Sequence, residues 1–139
     1  MPHRTLRETF IRRQPFRLPA TATVREAAQL MAEERIGAVL VMEGEVLRGI
    51  FTERDALYRV VADGLDTGTT KVGDVMTASV VTLTLDDTIA DALRLMRDMG
   101  FRHLPLVEGE EVCGILSLRD FIGVASLTGA DVQTENARA

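Results

Sequence analysis

The chain has few of the side chains that build reactive centres. It contains one cysteine, two histidines and no tryptophan. The single cysteine, Cys113, cannot form an internal disulfide, and its place in an apolar run favours a buried thiol over a nucleophile. The histidines, His3 and His103, form no zinc-ligand cluster and no pair with an orienting acid, and the sequence has no glycine-rich Walker loop. We therefore expect a protein that is not an enzyme.

Long apolar runs and a general excess of positive charge are also missing. No segment approaches the roughly 18 apolar residues of a membrane span, and the N-terminus lacks the apolar core of a signal peptide. The formal net charge of −5 argues against nucleic acid as a partner. We expect a soluble, cytoplasmic protein without a membrane partner. Residues 1–17 are locally basic, and both a solvated arm and a dock for an acidic partner or phosphate remain open.

An internal repeat organises the sequence. Gly49-Ile50-Phe51-Thr52-Glu53-Arg54-Asp55 returns as Gly114-Ile115-Leu116-Ser117-Leu118-Arg119-Asp120, and the starting residues 49 and 114 are 65 positions apart. The same offset relates identical residues upstream, including Thr23 and Thr88, Met31 and Met96, and Glu43-Gly44-Glu45 and Glu108-Gly109-Glu110. A fixed internal period indicates tandem copies of one supersecondary unit. A unit of this length would bury little apolar surface on its own.

Each copy predicts the order strand, helix, strand, strand, helix. Capping boxes predict amphipathic helices over 23–35 and 88–99, and further helices over 52–63 and 117–127. Because the helices cover only one face of each small sheet, we predict an α/β (α+β) fold in which two β-α-β-β-α repeats pack sheet to sheet about a pseudo-twofold axis. The predicted boundaries are 12–63 for repeat 1, 64–75 for a linker, 76–127 for repeat 2 and 128–139 for a flexible tail.

The strand-to-helix junctions, Thr52 to Asp55 and Ser117 to Asp120, support two interpretations. Each hydroxyl can cap the helix while the acid returns to the backbone N–H of the cap. Alternatively, the free N–H groups of the helix start suit a phosphate, and the carboxylate suits two adjacent ribose hydroxyls. The two interpretations are compatible, and both remain open at this point.

These junctions, together with Asp74-Val75-Met76-Thr77 and Phe101-Arg102-His103-Leu104-Pro105, make the sequence similar to a tandem CBS-domain pair, or Bateman module. The resemblance covers about residues 12–127. It implies binding of an adenosine-containing ligand between the repeats: AMP, ADP, ATP, S-adenosylmethionine or a molecule of the NAD type. No catalytic cofactor and no metal are implied.

The resemblance also implies roles for individual residues. Asp55 and Asp120 would accept hydrogen bonds from the ribose, and Thr52 and Ser117 would face the phosphate. The backbone around Phe16-Arg17-Leu18 and Val81-Thr82-Leu83 would read the adenine edge, beside Ile50 and Ile115. Basic residues that would meet the phosphate, Arg102 and His103, have Gly37 and Ala38 as their counterparts in repeat 1. We therefore expect unequal clefts, with the better phosphate site beside Asp55.

Two functions remain open from the sequence. The first is a regulatory module that senses an adenosyl nucleotide and signals through an effector protein or through its own homodimer. The second is a structural dimerisation module in which Asp55 and Asp120 act only as helix caps. The residues do not specify which nucleotide binds or how many clefts it fills.

Overall fold

The computed structural model describes residues 4–9 and 14–121. The strands are Arg17–Pro19 (β1), Ala38–Glu43 (β2), Val46–Thr52 (β3), Leu83–Thr84 (β4), His103–Glu108 (β5) and Glu111–Ser117 (β6). The α-helices are Leu6–Thr9 (α1), Val24–Glu34 (α2), Glu53–Asp55 (α3), Val72–Val75 (α4) and Ile89–Met99 (α5). A π-helix, Ala56–Val61, continues α3, and a 3-10 helix, Leu118–Phe121, follows β6.

The strands form two three-stranded sheets, ordered β1-β2-β3 and β4-β5-β6. In each sheet the first strand runs parallel to the middle strand, and the third strand runs antiparallel to it. The predicted α+β class and the order of strands and helices are therefore confirmed within the described residues. The helix predicted over 117–127 begins there as the 3-10 helix, and its remainder lies outside the described residues.

The two hairpins are alike in detail. Gly44 and Gly109 have φ angles of 60° and 64°, a left-handed conformation that glycine adopts without a steric penalty. The strand register shifts after Val41 in one hairpin and after Leu106 in the other, and these residues are equivalent in the repeat. The sequence period is thus reproduced in the position of a bulge as well as in the order of the elements.

Capping boxes start both long helices as predicted. The side chain of Thr23 accepts a hydrogen bond from the backbone N–H of Glu26, and Thr88 accepts one from that of Asp91, with the reciprocal bonds also present. The two helices end in a left-handed residue, Arg35 in one case and Gly100 in the other. Their apolar faces then cover one side of each sheet.

The second side of each sheet faces the other repeat. Val39 and Val41 of β2 pack with α2, whereas the alternating residues Ala38, Leu40 and Met42 form a separate cluster. Ile50 of β3 completes this cluster, against which Val112 and Ile115 of β6 pack. Because side chains alternate along a strand, one strand serves two cores, and the predicted packing of sheet against sheet is confirmed.

The segments that precede the repeats are exchanged between them. Leu6 of α1 is buried in the core of repeat 2, and Val72 and Val75 of α4 are buried in the core of repeat 1. Leu6 N donates to Asp87 O at 2.8 Å, and Val72 N donates to Ala22 O at 2.7 Å. Helix α4 lies within residues 64–75, which the sequence analysis treats as a linker. The connection between the repeats is therefore also part of a core.

Within the part of the chain that the structure describes, helices are short, and none has the length and apolar character needed to cross a membrane.

The exchanged packing predicts a cost for shortening Leu6. Leu6→Ala should lower the free energy of unfolding by about 2 to 5 kcal/mol, because it leaves a cavity in the core of repeat 2. Val46→Ala is the control, since Val46 is 56% exposed and an exposed substitution of this kind changes stability by about 0.5 kcal/mol or less. Urea denaturation followed by circular dichroism measures both. Equal effects would show that Leu6 does not belong to that core.

Candidate functional site

A cleft of about 620 Å³ lies between the two repeats. We call it the Asp55 cleft. One wall comes from the end of β3, from α3 and from the π-helix, and the other comes from the segment after α4 and from the start of β5. Its lining residues include Ile50, Thr52, Asp55, Arg59, Thr77 and Arg102.

Asp55 reaches the cleft because a capping box holds it at the end of β3. Its Oδ2 accepts hydrogen bonds from Thr52 N at 3.0 Å and from Thr52 Oγ1 at 3.2 Å, and Asp55 N donates back to Thr52 Oγ1 at 3.2 Å. From the other wall, Thr77 Oγ1 donates to Asp55 Oδ1 at 3.1 Å. The residue is 7% exposed. The capping interpretation is therefore correct in geometry, and the same carboxylate lines the cleft.

Arg59 is a third partner of Asp55, and the sequence analysis misses it. Arg59 Nε lies 3.7 Å from Asp55 Oδ1, and Arg59 Nη1 donates to Met76 O at 3.0 Å. The signal was available as an acid and a base four positions apart. The helix predicted over 52–63 is present as α3 followed by the π-helix, in which Ala62 N bonds to Leu57 O, five residues back. A π-helical turn of this kind is frequent at functional sites.

Two further arginines bring positive charge to the cleft from opposite repeats. Arg54 follows Thr52 in α3, and its Nη1 donates to Gly100 O at 3.3 Å. Arg102 precedes β5 and is half-buried. Among the described residues, its guanidinium has no hydrogen bond or ion pair, although it lines the cleft. A half-buried guanidinium with free donors is suited to an anionic ligand.

His103 stands where the repeats meet. A Cβ on Gly37 would lie 3.1 Å from His103 Nε2 and 3.1 Å from Glu53 Oε1, so the missing side chain of Gly37 provides room for the ring. Burial lowers the pKa of His103 below its usual value. Glu53 and Asp120 oppose this shift, whereas Arg119 and Arg102 add to it. The balance favours the neutral ring.

The structure brings only some of the predicted site residues together. Ile50, Thr52, Asp55, Arg102 and His103 line the Asp55 cleft, and Gly37 adjoins it through His103. The residues predicted to bind but not lining this cleft are Arg17, Ala38, Thr82, Ile115, Ser117 and Asp120. From the segment 81–83, whose backbone was predicted to read adenine, Val81 lines the cleft, as does Val80 just before it, whereas Thr82 is exposed.

Among the described residues, the junction of Ser117 and Asp120 has fewer hydrogen bonds than the junction of Thr52 and Asp55. Ser117 N donates to Asp120 Oδ2 at 2.7 Å, and Arg119 N donates to Ser117 Oγ at 3.3 Å. Asp120 is exposed, in contrast to Asp55. Within the described residues, the equivalent acids therefore differ in burial and in partners.

No group of three or more possible metal ligands comes together in residues 4–9 and 14–121. The absence of catalysis stays a prediction.

The fold and the cleft together define a class: a pair of tandem β-α-β-β-α repeats with a charged cleft between them. The family model for the CBS domain matches residues 6–62 and 72–126. The chain belongs to the CBS domain family. Whether the repeats end at the predicted boundaries stays a prediction.

Relatives of known sequence support this assignment. The chain is 39% identical over 98 residues to the CBS domain-containing protein YhcV of Bacillus subtilis, covering 70% of this chain and 69% of that one. It is 34% identical over 105 residues to the mitochondrial protein CBSX3 of Arabidopsis thaliana, covering 72% of this chain and 51% of that one. It thus spans about half the length of CBSX3. Since that relative is described as mitochondrial, a cytoplasmic location stays a prediction.

A solved structure has the same fold. The CBS domain protein PAE2072 from Pyrobaculum aerophilum is 28% identical to this chain and superposes with a TM-score of 0.78. The match covers 91% of this chain and 100% of that one, and PAE2072 is described as complexed with AMP.

The unequal junctions predict unequal costs of substitution. Asp55→Ala should lower the free energy of unfolding by about 1 to 3 kcal/mol, because it removes a cap and leaves the partly buried Thr52 and Thr77 groups without an acceptor. The matched substitution Asp120→Ala should cost less, since Asp120 is exposed. Urea denaturation in the absence of nucleotide measures the difference. Equal costs would mean that the described contacts of Asp55 add nothing to its cap.

Proposed function

We propose that this chain is a regulatory module that binds an adenosine-containing nucleotide in the Asp55 cleft. One observation carries the proposal: the same cleft is lined by Asp55, a carboxylate at a helix start, and by Arg102 of the other repeat, whose guanidinium has no partner within residues 4–9 and 14–121. The description of PAE2072 as complexed with AMP supports the choice of ligand class.

The ribose would be held at Asp55. A carboxylate offers about four lone-pair sites on its two oxygens. The bonds from Thr52 N, Thr52 Oγ1 and Thr77 Oγ1 occupy three of them, so about one site, on Oδ1, is left for a ribose hydroxyl. Because these bonds and Arg59 already fix the side chain, binding requires little ordering of the acid. A group that is fixed in advance loses little entropy when the ligand arrives.

The phosphate would be bound between the repeats by Arg102 and Arg54. The planar guanidinium matches two phosphate oxygens at once. Arg102 has no competing acceptor among the described residues, whereas Arg54 would give up a bond to Gly100 O at 3.3 Å. Arg59 would not bind the phosphate, because its donors already face Asp55 and Met76.

The base would lie against the apolar part of the wall. Ile50, Val80, Val81 and Pro105 line the cleft, and aliphatic surface accommodates a flat aromatic ring without specific polar contacts. Ile50 and Val80 also belong to the cluster that joins the two sheets. A ligand in this position would therefore touch the contact between the repeats, which gives binding a route to an effector or to the assembly of the chain.

The charges of the cleft favour a phosphorylated nucleotide over S-adenosylmethionine. Its lining contains three arginines, Arg54, Arg59 and Arg102, against two acids, Glu53 and Asp55. A sulfonium cation would meet this excess of positive charge, whereas a phosphate would partly neutralise it. AMP, ADP and ATP are thus preferred candidates.

Calorimetry with native protein and variants tests the site. Arg102→Ala should weaken AMP binding by about tenfold to a hundredfold, because a charge-assisted hydrogen bond contributes roughly 1.5 to 3 kcal/mol. The same variant should bind adenosine almost as well as the native protein does, since adenosine has no phosphate. Asp55→Ala should weaken both ligands. If the native protein binds none of AMP, ADP, ATP, NAD and S-adenosylmethionine, the proposal is wrong.

Tyrosine fluorescence provides a second measurement at the cleft, recorded at protein concentrations where the association state does not change. The chain has one tyrosine and no tryptophan, and that tyrosine, Tyr58, lines the Asp55 cleft. The Tyr58 signal should therefore change on binding in this cleft. Asp120→Ala is the matched control for Asp55→Ala and should leave the titration of Tyr58 with adenosine unchanged. A structural dimerisation module predicts stability losses without any change in affinity.

We extend the proposal to self-association as the output of the module. Leu57, Tyr58 and Val61 of the π-helix are 54%, 61% and 64% exposed, and a second copy of the chain would cover them. Exposed apolar side chains that lie together mark interaction surfaces. The alternative output is signalling through a separate effector protein in the cytoplasm.

Val61→Glu should shift the protein toward the monomer, because a charge on this surface opposes burial. Val46→Glu is the control, since Val46 has similar exposure, 56%, but lies in the β2-β3 hairpin. Light scattering coupled to size-exclusion chromatography measures both. An unchanged mass for Val61→Glu, with native protein associating, would exclude the π-helix as the contact.

A further inference from the structure

His103 is the ionisable group of the cleft whose charge can change near neutral pH. His103 is one of the residues that line the Asp55 cleft. Its ring packs on Gly37 of the other repeat, and its backbone pairs with Ser117 of β6. An unperturbed histidine changes charge near pH 6.5. Small changes in the surroundings therefore decide whether the ring is neutral or positive.

The charged groups that face His103 come from three elements. Glu53 approaches from the start of α3, Arg119 and Asp120 from the 3-10 helix, and Arg102 is its neighbour in the chain. Burial is the largest influence and lowers the pKa of the ring, whereas the two acids raise it and the two arginines lower it, so the buried position favours the neutral ring. An added negative charge in the cleft would reverse that balance.

We propose that His103 couples phosphate binding in the Asp55 cleft to the uptake of a proton from solvent. The inference rests on the proposed nucleotide binding. A neutral imidazole has one N–H, whereas the protonated ring has two and carries a positive charge. A phosphate beside the ring stabilises the protonated form, so the proton arrives with the ligand. No bond of the nucleotide is broken.

Affinity for AMP then depends on pH. It rises as the pH falls from about 8 to 6, and one proton for each nucleotide limits the change to about tenfold for each pH unit. Adenosine has no phosphate, so its affinity stays nearly constant over the same range. This coupling of binding to proton uptake is expected in one cleft only, because the residues equivalent to Arg102 and His103 in repeat 1 are Gly37 and Ala38.

Calorimetry in buffers of different ionisation enthalpy counts the protons directly. Native protein titrated with AMP at about pH 7.5 should take up a proton, to the extent that His103 is neutral beforehand. His103→Gln should lose this uptake and bind AMP more weakly. His103→Lys supplies a permanent charge, so it should retain binding without the uptake. AMP itself exchanges protons near pH 6, and the difference between native protein and His103→Gln removes that contribution.

The outcomes separate this inference from the function on which it rests. If AMP binds native protein and His103→Gln with the same proton count, the inference is wrong and the nucleotide site stands. If AMP does not bind native protein at all, both fail. If the variants do not fold, the native protein still decides. A rise in AMP affinity from about pH 8 to 6 that adenosine does not show supports the inference, because protonation of AMP itself would weaken binding. Without such a rise the inference is wrong.

Discussion

The whole arrangement depends on an apolar sheet face that neither repeat can cover alone. Helices α2 and α5 each shield one side of a three-stranded sheet, and the other side carries Leu40, Met42 and Ile50 in repeat 1. Pairing the sheets removes this surface from water, which is the main favourable term in folding. The same contact places the end of β3 beside the start of β5. The cleft between Asp55 and Arg102 is thus a consequence of how the core is closed.

Asp55 has a structural task and a proposed ligand-binding task at once. Its capping bonds to Thr52 start α3, and its bond from Thr77 joins the segment after α4 to the same point. Groups placed by such bonds are rigid before any ligand arrives. Asp120, the equivalent acid, keeps only part of this arrangement. Duplication therefore preserved the position of the acid while its surroundings diverged.

The sequence predicts the structural features that depend on residues close together in the chain. Thr23 with Glu26 and Thr88 with Asp91 start helices through contacts three residues apart, and Gly44 and Gly109 mark tight turns, so the repeat and the paired sheets follow from local patterns. The exchange of Leu6 and Val72 depends on residues far apart in the chain and left no local signal.

The contacts of the candidate site also divide into those that the sequence predicts and those that it does not. The Asp55 junction was readable because both its residues lie in one motif. The contact between Thr77 and Asp55 could not be predicted, because a local motif does not show which hydroxyl from a distant part of the chain reaches its acid. Arg59 lies four positions after Asp55, a spacing that a helix brings together, so this partner could also have been predicted from the sequence. Local rules thus predicted the elements, and the meeting of the repeats decided which residues share a cleft.

The exchanged helices have a consequence for the origin of the fold. Each repeat completes its interior with a segment from the start of the other, through the same backbone bonds: Leu6 to Asp87 and Val72 to Ala22. Two separate half-length chains can make the same contacts by trading their leading segments. Fusion of such a swapped pair of ancestral chains gives this architecture without any new contact, and a single half on its own would have an unfilled interior.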